Sequence, residues 1–235
     1  MNDKSPRQLL LEFRLDDSAT LDNFVAGSGN RQLMHHLDTG VLWGDEQFTY
    51  IWAGKGAGKT HLLQALCQEL TSHHHSPIYL PLADSRQFEP EMLSGLEQLD
   101  LVCLDDVDAV AGDAAWEQAL FHLYNRVRSA DTRLVIAADR PPAELPVRLA
   151  DLQSRLQACV IFQIQEPADE DKAGLLIDRA RKLGIVLAPA VVQYVLQRHE
   201  RSIPALIRLL DELDRQSLEQ KRRVTIPLVR GIMGW

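Results

Sequence analysis

The sequence predicts an α/β fold: three layers around a parallel five-stranded sheet, followed by a small C-terminal helical lid. Three observations carry this. From residue 48 onward, short β-rich runs alternate with helical patterns, the order that builds a sheet covered on both faces. The first strand–helix junction contains three glycines in five residues, Gly54, Gly56 and Gly58. After Pro167 strand patterns stop and only helical ones continue.

The strands are expected at 48–52, 78–82, 101–104, 133–137 and 160–164. They are apolar with little alternation, as parallel strands buried on both faces should be. Helices are expected at 59–69, 91–99 and 113–128. In the last of these, Trp116, Leu120, Leu123, Tyr124 and Val127 recur at helical spacing. Beyond Pro167 the helical stretches are 169–182, 189–200 and 202–220, with Gly184 ending the first, and a short piece at 226–233. This predicts three units: an N-terminal segment of residues 1–17, a nucleotide-binding domain of residues 18–166, and a lid of residues 167–235. The lid is too small to fold alone and should lean on the sheet domain.

With 235 residues, 46% hydrophobic and 25% charged, the composition is that of a globular protein. No apolar run spans a bilayer, which points to the cytoplasm and away from membranes. Cys67, Cys103 and Cys159 are far apart and read as reduced core residues. The net charge is −8, and no basic run exceeds Lys221–Arg223, which argues against autonomous DNA binding. His73, His74 and His75 are consecutive in a polar turn before Pro77 and read as a solvated loop, because neighbouring residues converge poorly on one ion.

The stretch AGKGAGKTHLL, from Ala53 to Leu63, meets the phosphate-loop pattern at Gly58, Lys59 and Thr60, with Ala53 in place of its first glycine. Backbone N–H groups of Gly54, Lys55, Gly56, Ala57 and Gly58 would face phosphate oxygens, and the following helix would add its positive end. Lys59 would reach the terminal phosphates, Thr60 would bind Mg²⁺, and His61 lies beside the nucleotide. The partner motif LVCLDDVD, Leu101 to Asp108, delivers two carboxylates at the C-terminal edge of a buried strand, where open α/β sheets bind ligands. Asp105 would hold Mg²⁺, partly through water, and Asp106 would orient an attacking water. Asp108 is a candidate cap for the next helix.

With these motifs in order, the chain resembles the AAA+ ATPases, and more narrowly the core of the bacterial replication initiator DnaA. TLDNFVAGSGNRQ (20–32), GKTHLLQA, LVCLDDVD, AADRPPAEL (137–145) and LQSRL (152–156) carry the resemblance. It covers residues 18–235. The chain stops after TIPLVRGIMGW, where the initiator would continue into a DNA-binding domain, and it begins with the apolar peptide RQLLLEF. That combination resembles DnaA-related regulators that switch the initiator off.

The resemblance implies an adenine nucleotide as cofactor, with Mg²⁺, and two partners: the DnaA initiator and the DNA polymerase III sliding clamp. DNA would be met only through the clamp, and a homo-oligomer is compatible with the family. Gln8, Leu9, Leu11 and Phe13 match the clamp-docking pattern QLxLx(L/F); in an extended chain the three apolar residues point one way and Gln8 the other. The alternative is an arm packed on the protein's own core. Phe24 and Val25 would lie beside the base, or simply fill the core. Asp139 takes the sensor-1 position, or caps a turn before Pro141. Arg155 matches the arginine finger that reaches a neighbour's γ-phosphate; the alternative is a local pair with Asp151 one turn earlier.

One departure from the family concerns the sensor-2 arginine, whose position falls on Pro204, a residue with no donor. Arg208 lies one turn later, about 6 Å along the helix axis, and Arg201 precedes the helix. This disfavours hydrolysis by the protein itself and favours ADP over ATP as its ligand. The expected function is a negative regulator of replication initiation that is tethered to the clamp and stimulates hydrolysis of initiator-bound ATP. The alternative is a self-contained AAA+ ATPase, a helicase loader or DNA remodeller.

Overall fold

The computed structural model describes residues 19–87, 89–220 and 223–234. The N-terminal segment 1–17, with Gln8, Leu9, Leu11 and Phe13, lies outside the described residues. Five parallel strands form one sheet: β1 (Phe48–Trp52), β2 (Pro77–Pro81), β3 (Leu101–Asp105), β4 (Arg133–Ala138) and β5 (Val160–Gln163), in the order β2-β3-β4-β1-β5. The register runs Phe48 against Leu134 and Thr49 against Val160. The expected strands are therefore present within one or two residues at each end.

Side chains alternate between two cores. Leu101 and Cys103 of β3, with Val135 and Ala137 of β4, enter one core beneath helix α2 (Lys59–Ser72). Val102, Leu104, Leu134 and Ile136 enter the other, beneath α3 (Ala114–Arg128) and α4 (Ala150–Gln157). Both faces being covered, the strands are apolar at most positions, and period-2 alternation is lost. Strand β5 is the exception: it closes one edge and leaves Val160 and Ile161 exposed. Cys67, Cys103 and Cys159 are free thiols inside these cores.

Two segments depart from the sequence expectation. Residues 91–99 form two short 3₁₀ turns, Pro90–Leu93 and Leu96–Gln98, instead of one α-helix. Gly95 between them takes φ +88°, a left-handed conformation that ends any α-helical run. Ahead of β1, α1 (Arg31–His35) continues into a π-helical stretch, His36–Leu42, that the sequence did not announce. Its register puts Leu37, Val41 and Leu42 in the core, and the His36 ring bonds Thr49 Oγ1 at 2.8 Å. Burial holds that imidazole below its usual pKa.

The lid comprises α5 (Asp169–Lys182), α6 (Pro189–Arg198), α7 (Ile203–Gln220) and α8 (Ile226–Met233) around their own core of Leu176, Val195, Leu206, Leu209 and Val229. Acids fill the first turn of α5 and bases its last, as the helix dipole favours. Gly184 at φ +78° stops it, and Ile185 N donates back to Ala180 O at 2.8 Å. Pro189 opens α6 where its missing N–H costs nothing. Among the described residues, no helix is long and apolar enough to cross a membrane.

Candidate functional site

The candidate site begins where β1 meets α2. Gly56 and Gly58 take φ +77° and +98°, so the loop needs glycine there, but Ala53 does not require it. Its backbone lies outside the left-handed region; it is buried and donates its N–H to Ala138 O at 3.2 Å. Alanine is thus compatible with the turn. A Cβ at Gly54 or Gly56 would meet nothing within 4 Å, whereas at Gly58 it would lie 2.8 Å from Phe24 Cε2. The loop is open on one side and closed by Phe24 on the other. Phe24 also stands 6.1 Å from the His61 ring, and His61 Nε2 bonds Thr20 O at 2.9 Å. Phe24, Gly58 and His61 therefore meet, and Val25 follows on the same segment.

Lys59 is buried, its ammonium donating to Ala53 O at 2.8 Å and Gly54 O at 3.3 Å. Thr60 Oγ1 donates to Asp105 Oδ2 at 2.6 Å. Asp105 is fully buried and also accepts from the Tyr79 hydroxyl at 3.0 Å and from Asp106 N at 3.0 Å. Three donors satisfy a carboxylate that would otherwise be costly to bury. The carboxylate pushes the Tyr79 hydroxyl pKa up, after burial itself. An oxygen-only pair, Thr60 with Asp105, at the mouth of a glycine loop fits Mg²⁺.

Asp106 adopts φ +53°, ψ +45°, a left-handed conformation uncommon outside glycine. Partial burial, then the charges of Asp105 and Asp108, raise its pKa, while Lys59 and Lys55 oppose them. Asp108 caps no α-helix: Asp113 caps α3 by accepting from Ala115 N and Trp116 N. Asp108 instead accepts from Asp139 N at 2.9 Å, fixing the residue after β4. The Asp139 carboxylate is gripped by Arg140 at 2.7 and 3.0 Å. That pairing holds its pKa below the usual range.

Arg155 sits on α4, well apart in the sequence from the loop. No ion pair joins it to Asp151 among the described residues; its guanidinium carbon lies 5.7 Å from the centroid of the Tyr124 ring, over its face. The side chain is half-buried. Pro204 is the second residue of α7, and Arg208 is exposed. Arg201 is engaged elsewhere, donating to Leu196 O at 3.1 Å and pairing with Asp169 at 3.4 Å.

Residues 15–163 match the family model described as the bacterial DnaA ATPase domain, more than half of the chain. The chain belongs to the DnaA ATPase-domain family. Residues 169–233 of this DnaA-related protein match the model of the Hda lid domain. Domain III of the Thermotoga maritima replication initiation protein DnaA aligns with a TM-score of 0.76 at 22% identity, covering 92% of this chain and 95% of that one. AMPPCP-bound DnaA from Aquifex aeolicus gives 0.74 at 24% identity, covering 88% and 69%. A replication initiator DnaA bound to AMPPCP and single-stranded DNA gives 0.75 at 24%, covering 88% and 69%. At these identities the likeness speaks for the fold, and the two family matches make this a DnaA-related AAA+ replication protein with an Hda-type lid.

Two structural residues of this DnaA-related chain escaped the sequence reading. Asn30 is buried and links the segment carrying Phe24 to the exit of β5: its amide donates to Ala26 O and Gln165 O, both at 2.8 Å, and its Oδ1 accepts from Gln165 N at 2.7 Å. Glu117 is buried on α3 and accepts from Gly112 N, Arg148 N and Leu149 N at 2.8–3.1 Å. An acid beside Trp116 and three residues before Leu120, on the apolar face of a helix, was the available signal for the second.

Proposed function

We propose that the protein is a negative regulator of replication initiation. It docks on the sliding clamp through Gln8, Leu9, Leu11 and Phe13, and presents Arg155 in trans to the ATP of a DnaA-type initiator. The observation that supports this most is the state of Arg155. Its guanidinium lies on an aromatic ring and makes no ion pair with a carboxylate of its own fold among the described residues. A charge meant for structural use would be neutralised locally; one meant for a partner's phosphates stays available. An arginine supplied in trans steadies the charge that develops on the transferring phosphoryl group, and in well-studied cases accelerates hydrolysis by about 10³–10⁵.

The protein's own loop would hold an adenine nucleotide: Gly54 to Gly58 cradle the phosphates, Lys59 neutralises them, and Thr60 with Asp105 would hold Mg²⁺. The bound ion would add positive charge at the phosphates. Phe24 and Val25 border the base and His61 fixes the Thr20 end of that segment. Asp106 brings negative charge to the phosphate end, Asp139 is already paired with Arg140, and Pro204 supplies no donor there. This combination favours ADP over ATP and slow turnover, so the nucleotide acts mainly to order sheet domain and lid. The set Lys59, Thr60, Asp105 and Asp106 also supports a second reading, a self-contained ATPase; robust turnover by the purified protein alone would favour it.

The test is hydrolysis of initiator-bound ATP on clamp-loaded DNA. Arg155→Ala is expected to keep clamp binding and lose stimulation by about 10³-fold. Gln8→Ala combined with Leu9→Ala is expected to abolish clamp binding, and with it the gain from local concentration. Normal stimulation by Arg155→Ala would overturn the mechanism.

A further inference from the structure

We propose that Tyr124 is the positioning residue for the Arg155 guanidinium, with Phe48 as its backing. The inference rests on the trans-arginine reading above and goes beyond it, because nothing in a phosphate loop or a finger motif calls for an aromatic residue on α3.

One face of α3 carries Glu117, Leu120 and Tyr124, spaced by three and four residues, and all three turn toward α4. Each does a different task there. Glu117 takes the N–H groups of Arg148 and Leu149, the two residues just before α4 begins. Leu120 shares a buried core with Leu152 and Leu156 on the inner face of α4. Tyr124 lies under the guanidinium. Backbone, apolar face and charged tip of α4 are thus all set by a single helix.

The ring itself is buried and packed. Tyr124 is 5% exposed, and Phe48, at the start of β1, stacks on it with centroids 4.0 Å apart and planes 18° from parallel. Because Phe48 belongs to β1, which pairs with β4 and β5 and leads into the phosphate loop, the ledge is anchored to the sheet. Burial, and then Cys159 nearby, keep the Tyr124 hydroxyl protonated beyond its usual range, so the ring stays neutral with its π-face available to a cation.

An arginine side chain has wide rotamer freedom, and ordering it costs entropy at the moment of catalysis. A ring that holds the guanidinium before the partner arrives removes part of that cost. A guanidinium held over a π-face by cation–π attraction need spend no N–H donor on an acceptor, whereas a carboxylate would occupy those donors. The ledge therefore orients the group without consuming what it must deliver. Tyr124 acts through Arg155 and does not touch the phosphates.

The experiment measures stimulated hydrolysis of initiator-bound ATP at increasing concentrations of the regulator, for wild type, Tyr124→Phe, Tyr124→Leu and Arg155→Ala. Tyr124→Phe keeps the ring and should stay within about twofold of wild type. Tyr124→Leu keeps apolar volume and should lose about tenfold in maximal rate, with the half-maximal concentration unchanged, since docking is intact. A resonance for the Arg155 Nε–H, assigned by its disappearance in Arg155→Lys, should be shifted by the ring current in wild type and Tyr124→Phe. It should return to the position of an exposed arginine in Tyr124→Leu. If Tyr124→Leu does not fold, Phe48→Leu loosens the ring from behind and should lose about threefold. Full stimulation by a folded Tyr124→Leu beside an inactive Arg155→Ala would overturn the ledge and leave the finger standing. Full stimulation by Arg155→Ala would overturn the finger, with the ring-current shift still reporting whether the stack exists.

Discussion

The loop between β1 and α2 and the short helix α4 solve opposite problems. Around the loop, the polar groups are buried and bonded to one another: Lys59 to loop carbonyls, Thr60 and Tyr79 to Asp105. Most of its key residues are near-contiguous in sequence, and the distant acid, Asp105, arrives at the end of β3 beside Tyr79 of β2. Helix α4 has eight residues, and its supports come from α3, more than thirty positions away. Its charged tip, Arg155, is half-buried over a ring and makes no ion pair among the described residues. A region that encloses a ligand can be built from local backbone and saturated hydrogen bonds. A region that serves a partner must keep its donors open, so it relies on distant packing for rigidity.

The largest stability effect should come from breaking the enclosed side. Leu63→Ala empties a fully buried site beneath the loop and should cost about 2–5 kcal/mol, read as a lower denaturation midpoint with an unchanged slope. Stimulation by the folded fraction should persist, because α4 lies across the sheet.

Glu117→Gln tests the outward side. The amide keeps one acceptor but sets an N–H₂ donor against backbone donors, and hydrogen bonds to a charged acceptor are each worth about 1.5–3 kcal/mol. A loss of that order is expected in urea unfolding, together with a drop in stimulated rate that Leu63→Ala does not show. Equal behaviour of the two variants would break the contrast between the regions.

Asp106→Asn sharpens it with the smallest effect. The folded pKa is raised above the ordinary 3.8, so between those two values the native state holds more protons than the unfolded chain. Stability is then lost as pH rises through that interval. A neutral Asn, which also tolerates the left-handed backbone, should melt slightly higher than wild type at pH 7. The advantage should vanish below the ordinary carboxylate pKa. A variant that melts lower at neutral pH would show that Asp106 is held by a favourable charge interaction.

Much of the molecule could be read before the structure. Strands β3 and β4 carry unbroken apolar runs, and the lid helices carry period 3.6 with glycine and proline at their ends, so local pattern and burial agree. Phe24 lies 34 positions before Gly58, and its place beside the loop is a tertiary contact that the family resemblance implied. Other features were not legible. The π-helical stretch 36–42 has no sequence period of its own, and in it Leu37, Val41 and Leu42 are buried. The break at Gly95 outweighed the apolar spacing of Met92, Leu93, Leu96 and Leu99.

The sequence by itself determined the strand–helix order, the phosphate loop and its acidic partner, and the family, because each depends on residues close in the chain or on periodicity that burial imposes. Only the tertiary structure decided that Ala53 suits its turn, that Asp139 is tied to Arg140, that Glu117 anchors the entry to α4 and that Arg155 rests on Tyr124. Those facts depend on which side chains meet across elements, and a hydrogen bond or a stacked ring between residues thirty apart leaves no periodic trace in the chain.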